Sequence, residues 1–215
     1  MRSCYLLSGN PDAPRTQSSK EVLERIGFQV NLFHYIPHEN PILSNKISFL
    51  QLYELILQGE QEWGYVFEDD VNILESITLD EIVRYENIST HMFYLGACII
   101  DDALEVQYSS DKVNDHAVAL VQGNVRGAHA VALKKKAIVE LLDLTKTVET
   151  DYCDVVLEEF TKLHPAPLVR RDLKSYIEGH RGIVFQDRNS FPSIIETILS
   201  KEEETVVNAP EPDVL

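Results

Sequence analysis

Trp63-Gly64-Tyr65-Val66-Phe67-Glu68-Asp69-Asp70-Val71 decides how this chain is read. Its first five residues suit a buried strand, and three carboxylates follow at once. In parallel α/β sheets, ligands bind beyond the carboxyl ends of the strands, near a switch in strand order. Residues two apart on an extended segment point the same way, so Glu68 and Asp70 should share a face. Three carboxylates this close repel one another, at a cost that falls when a divalent cation binds. Hard cations such as Mg2+ and Mn2+ prefer oxygen ligands and bridge protein carboxylates to substrate phosphates. The competing reading is a solvated acidic turn that keeps a strand end from aggregating.

The segments on either side decide which context applies. Ser3 to Ser8 reads as a first buried strand, and Gly9 to Pro14 as a turn-rich loop. A helix is expected over Ser18 to Ile26, with Val22, Leu23 and Ile26 on one face and Gly27 as its stop. Phe28 to Phe33 alternates like a strand. Ser44 to Gln58 is apolar on a broad face and stops at Gly59, which predicts a helix. Thr78-Leu79-Asp80-Glu81 is a capping box, so a helix should run to about Tyr85. Met92 to Leu95, Val118 to Val121 and Ala128 to Leu133 read as strands, the last two flanking Gly123 to Gly127. Lys134 to Leu144 reads as a helix. Thr150 is expected to cap another from Asp151 to Leu163, which Pro165 and Pro167 would end. The opening order of strand, helix, strand, helix, strand argues for an α/β domain with a parallel sheet.

Composition narrows the function classes. The chain has 215 residues, 44% of them hydrophobic, which allows one sizeable core. Its formal net charge is −16 and its pI about 4.8. Such a field argues against sequence-independent nucleic-acid binding and against anionic membrane surfaces. A phosphate ligand would need a local cluster of cations or a metal ion. No apolar run approaches a membrane span, and the apolar start is too short for a signal peptide. Cys4, Cys98 and Cys153 are odd in number and far apart, which fits reduced thiols in a cytoplasmic protein. Asn87-Ile88-Ser89 is then a chance match to the glycosylation sequon. The expected organisation is one domain over residues 1–200, with 201–215 as an acidic tail or linker.

Several blocks resemble a known family. The apolar strand ending in Glu68-Asp69-Asp70-Val71 resembles the Asp-x-Asp-type motif of glycosyltransferases with the GT-A, or nucleotide-diphospho-sugar transferase, fold. The pattern is most similar to family 25, which includes lipopolysaccharide galactosyltransferases. Tyr5-Leu6-Leu7 with Arg15 resembles that group's opening strand and arginine. Ser44-Asn45-Lys46-Ile47-Ser48 resembles its serine-bearing helix, and Phe93-Tyr94-Leu95-Gly96 its central strand. Arg126 to Leu133 resembles its Gly-x-x-His/Ala-Tyr segment, and Asp151 to Leu157 its later Asp-x-x-Leu. The compact size also resembles glycosyltransferase domains of large algal DNA viruses, which would place the protein in the host cytoplasm. This chain departs from the pattern at Phe49, where the group has His, at Glu68 in place of Asp, and over its C-terminal third.

The resemblance implies a single Rossmann-like, mixed and mainly parallel sheet flanked by helices. It implies a divalent-metal-dependent hexosyltransferase, with a nucleoside-diphosphate sugar as donor, UDP-linked in the usual case, and a glycan or glycoprotein acceptor. Ser8, Arg15, Lys46, Glu68, Asp69 and Arg126 would line the nucleotide-sugar site. Asp70 with Glu68 would bind Mn2+ or Mg2+, and Asp69 would lie near the sugar. His180, within Gly179-His180-Arg181-Gly182, is the candidate for a late metal ligand, although an exposed loop is the favoured reading of that segment. For Arg15, Lys46 and Arg126 a plain surface cation is the competing reading, and for His129 a satisfied core histidine. A carboxylate base would come from Asp151 or Asp154, three apart at a helix start, where acids are also favoured by the helix dipole. Asp101-Asp102 is a second acidic pair that could line the acceptor side or be a solvated turn. Two alternatives stand beside this reading. One is a non-catalytic glycan- or partner-binding module on the same fold. The other is a nucleotidyltransferase, against which counts the lack of a Gly-x-x-x-x-Gly-Lys-Ser/Thr loop.

Overall fold

The computed structural model describes residues 2–74, 76–99, 107–113, 116–123, 125–169 and 180–192. The expected roles of Asp101-Asp102, Asn124, Gly179 and the tail from 201 lie outside the described residues. Strand β1 (Ser3–Ser8) leads into helix α1 (Pro14–Ile26) and strand β2 (Gln29–His34). Helix α2 (Pro41–Gln58) precedes strand β3 (Trp63–Glu68), the short strand β4 (Val71–Ile73) and helix α3 (Leu79–Ile88). Strands β5 (Met92–Ile99), β6 (Gln107–Val113), β7 (His116–Val121) and β8 (Val125–Lys134) follow. Helices α4 (Lys135–Leu144) and α5 (Cys153–Leu163) precede three short strands, β9 (Ala166–Leu168), β10 (His180–Gly182) and β11 (Val184–Gln186).

Three helix starts differ from expectation by more than one residue, each for a local reason. Both α1 and α2 begin earlier, because Pro14 and Pro41 sit in their first turns, where a missing N–H costs nothing. The Asn40 side chain accepts from the amides of Ile42 and Leu43 and so fixes the start of α2. Helix α5 begins later, at Cys153, with no side-chain cap. The Thr150 hydroxyl accepts from the Tyr152 amide instead, at 3.2 Å, which holds a turn before the helix and leaves Asp151 outside it. At α3 both capping-box bonds form. Thr78→Ala should therefore cost about 1 kcal/mol, read as a lowered midpoint in urea unfolding.

The main sheet has strand order β2-β1-β3-β8-β5-β9-β7-β6, with β10 against β5. It is mixed but mainly parallel in direction. Strands β1, β2, β3, β5, β6 and β9 point one way, while β7, β8 and β10 oppose them. Alternate residues of β3 serve opposite faces: Val66 packs with α2, α4 and α5 residues such as Phe49, Ile138 and Leu157. Tyr65 and Phe67 pack with Leu23 of α1 and Ile82 of α3. Burial on both sides is why β3 is apolar throughout rather than alternating. β1 lies between β2 and β3, so the chain's winding reverses there, at the strand ends Ser8 and Glu68, the place in an α/β sheet where ligands bind. No described helix is long and apolar enough to cross a membrane.

Candidate active site

The strand ends at this switch collect groups from six segments. Ser8, at the end of β1, is buried and shares a 2.7 Å hydrogen bond with the Thr16 hydroxyl. Thr16, in the first turns of α1, also lies 3.1 Å from Asp69 Oδ2. Arg15 reaches the acidic turn as well: Nε lies 2.9 Å from Asp69 Oδ1, and an Nη 3.2 Å from Asp70 Oδ2. The Nε contact is an ion pair without hydrogen-bond alignment, so that N–H has no directed acceptor. Asp69 and Asp70 are both buried.

Glu68 and Asp70 do share a face. The Gln186 side-chain nitrogen donates to Glu68 at 2.9 Å and approaches both Asp70 oxygens at 3.5 Å. Gln186 arrives because β11 pairs antiparallel with β4, setting Gln186 opposite Val71. The Asp187 amide then donates to the Asp70 carbonyl at 2.7 Å. Arg188 donates to the Gln186 side-chain oxygen at 3.0 Å, which orients that amide. Asn45 of α2 donates to the other Glu68 oxygen at 3.2 Å, and the Tyr35 phenol lies within reach of Asn45.

Burial first, and then the Asp70 charge, push the Glu68 carboxyl up to about 8, against the pull of Asn45. Burial also raises Asp70, although the Arg15 charge offsets part of this. Burial and then the three acid charges raise the Tyr35 phenol. The Glu68 contribution to stability of the metal-free protein should thus fall as pH rises from about 4.5 to about 8, because this group binds more protons in the folded state than in the unfolded chain. In EDTA, Glu68→Gln should flatten that slope in urea unfolding curves and gain at least about 1 kcal/mol at pH 8. An unchanged slope would contradict the assignment.

The donor set fits a hard divalent cation. It consists of carboxylate oxygens, and Glu68 and Asp70 both stay raised by burial although the Arg15 and Arg188 guanidiniums act on Asp70. Their shared face already holds an N–H donor at the point where a cation would relieve the same repulsion.

A further carboxylate belongs to this region. Asp154, in the first turn of α5, has its carboxyl raised by burial, with Arg126 opposing, and its charge contributes to the shift of Glu68. Asp151 is exposed in the preceding turn. Arg126 on β8 pairs with Glu158 of α5 at 3.0 Å. The Lys46 ammonium is turned to the Thr150 carbonyl, tying α2 to the turn before α5. His180 lies on β10 opposite Cys98 of β5, and the Cys98 thiol, raised mainly by burial, also feels Glu68, Asp154 and Asp70. His129 is fully buried in β8. All three cysteines are free thiols.

Thus Ser8, Arg15, Glu68, Asp69 and Asp70 converge directly, Asp154 joins electrostatically, and Lys46 and Arg126 are held by other partners. Sequence reasoning missed Thr16, Asn45, Gln186 and Arg188. Asn45 lies within Ser44-Asn45-Lys46-Ile47-Ser48, the segment that resembles the family's serine-bearing helix. Nothing in the sequence marked Gln186, whose position depends on a three-residue strand pairing across 115 positions.

No family profile matches the chain, and no curated protein matches it. Solved structures with similar backbones include a crystal structure of A197 from STIV, at 14% identity and TM-score 0.44, covering 77% of this chain and 79% of that one. They also include the apo-form glycosyltransferase GlyE of Streptococcus pneumoniae TIGR4, at 11% identity and TM-score 0.41, covering 77% of this chain. The chain spans 44% of GlyE.

Proposed function

We propose that the protein is a divalent-metal-dependent glycosyltransferase that moves a hexose from a nucleoside-diphosphate sugar, with UDP the favoured carrier, to a glycan hydroxyl. The observation that carries this reading is the buried acidic end of β3 at the strand-order switch, where burial opposes ionisation of Glu68 and Asp70. Asp70 and Glu68 would hold Mn2+ or Mg2+, with His180 as a further proposed ligand, and the ion would neutralise charge on the departing diphosphate. Arg15 fixes Asp69 and one Asp70 oxygen, so the face shared with Glu68 is the one presented to the donor. Gln186 and Asn45 orient Glu68. A carboxylate held above its ordinary range is suited to take a proton from an acceptor hydroxyl, which favours Asp154 over the exposed Asp151.

Asp154→Asn is expected to lower kcat by about 10²–10⁴-fold with little change in donor KM, while Asp151→Asn stays within a few-fold. The reverse ranking would move the base to Asp151. The reading as a whole is tested by nucleoside diphosphate release from a panel of UDP- and GDP-sugars with Mn2+ and mixed glycan acceptors. Release from one donor above the acceptor-free blank supports it. Pyrophosphate release from a nucleoside triphosphate would replace it with a nucleotidyltransferase.

A further inference from the structure

At the opposite end of the sheet from the acidic turn, three metal-ligating side chains converge from separate elements. His91 directly precedes β5, Glu140 lies on α4, and His164 follows α5. His164 Nε2 is 2.9 Å from Glu140 Oε2, and His91 Nε2 is 3.7 Å from Glu140 Oε1. One ligand atom from each residue lies within 4.8 Å of the others. The imidazoles stack at 3.9 Å with 26° between their planes, and the Phe160 ring borders both.

We propose that His91, Glu140 and His164 form a binding site for a borderline divalent metal of the Zn2+ class. Two imidazole nitrogens and one carboxylate oxygen are a mixed donor set that suits Zn2+ far better than Mg2+. Tetrahedral zinc–nitrogen and zinc–oxygen bonds of about 2.0–2.2 Å put neighbouring donor atoms about 3.3 Å apart, so the set, now within 4.8 Å with the two rings nearest different Glu140 oxygens, needs only side-chain adjustment to close on an ion. The His91 ring is already oriented, because its Nδ1 is 2.8 Å from the Thr90 hydroxyl and Nε2 faces the other ligands. Lys134 and Lys136 add positive charge near His91, and Glu140 supplies the opposing charge. The histidines are partly buried, with side-chain exposures of 17% and 27%, while Glu140 at 45% leaves the site open to an ion and a water ligand. The bound metal would pin the end of α5 and the middle of α4 to the start of β5.

The site is separable from the acidic turn by experiment. Untagged Asp70→Asn protein, which silences the proposed Mn2+ site, is titrated with Zn2+ by calorimetry and with Co2+ by visible absorption, with Mg2+ in excess. One equivalent of Zn2+ should bind, and Co2+ should give d–d bands without thiolate charge transfer. Adding His164→Ala or His91→Ala should weaken binding by more than about 100-fold, and Glu140→Gln by about 10-fold or more. Saturating Zn2+ should raise Tm in the parent and not in the His164→Ala protein. Should an alanine variant unfold in EDTA, His91→Gln and His164→Gln repeat the comparison. No stoichiometric Zn2+ binding, or binding that survives His164→Ala or its Gln counterpart unchanged, would overturn the proposal.

Discussion

Asp70→Asn is expected to cut turnover of the donor sugar by at least about 10²-fold and to abolish the metal dependence of nucleotide binding. The substitution keeps the shape of a buried side chain, 4% exposed, and removes only its charge. Arg15 retains Asp69, and Gln186 retains Glu68, so the surrounding contacts survive. Burial raises the Asp70 carboxyl despite Arg15, so its ionised form opposes folding at neutral pH. The variant should accordingly keep or gain thermal stability at pH 8 in EDTA while losing activity. Equal loss of both would make Asp70 a structural residue. Steady-state kinetics with and without Mn2+, beside a melting curve, separates the two.

Gly96→Ala should give the largest stability loss of any glycine-to-alanine change among the described residues. A Cβ at Gly96 would lie 2.0 Å from the Val184 carbonyl oxygen and 2.8 Å from His129 Nε2. Neither neighbour can give way cheaply. Val184 is in β11, the preceding Ile183 amide donates to the Leu95 carbonyl at 2.8 Å, and His129 is fully buried. Gly182, opposite Gly96 in the ladder, has φ of 93°, and its own Cβ would sit 2.5 Å from the Leu95 carbonyl. The expected cost is about 3 kcal/mol or more, a fall in Tm of roughly 6–12 °C. Displacing β11 also displaces Gln186, so Glu68 loses a donor and donor-sugar activity should fall as well. Gly59→Ala is the control. Its Cβ would meet only the Ile56 and Leu55 carbonyl oxygens, at 3.4 Å and 3.9 Å, at a φ of −70°, and Tm should move by less than about 2 °C.

The acidic turn was legible because it joins two strong signals, a strand buried on both faces and a burst of charge at its end. The α/β order was legible for the same reason in β1, α1, β2, α2 and β3, where periodicity is clear. Prolines hid the starts of α1 and α2, since Pro reads first as a breaker and only with its cap as an opening residue. The Thr150 turn moved the start of α5 and thereby separated Asp154 from Asp151, which spacing alone placed together. Strands β4, β9, β10 and β11 have three residues each, too few for any period to show. Pro167 even lies within β9, beyond a helix it was expected only to end. Gln186 was invisible for that reason, although it bridges two of the three acids. Lys46 and Arg126 show the converse: a cation's type and place in a motif do not reveal the carbonyl or carboxylate that holds it.

Whether the acidic turn holds a cation for a donor diphosphate is tested by calorimetric titration of UDP, then GDP, into wild-type and Asp70→Ala protein, with Mn2+ and with EDTA. One nucleotide should bind tightly to the wild type in Mn2+, with no binding in EDTA or in Asp70→Ala. Failure of both nucleotides to bind wild-type protein in Mn2+ would contradict it and leave Glu68-Asp69-Asp70 as a buried structural turn.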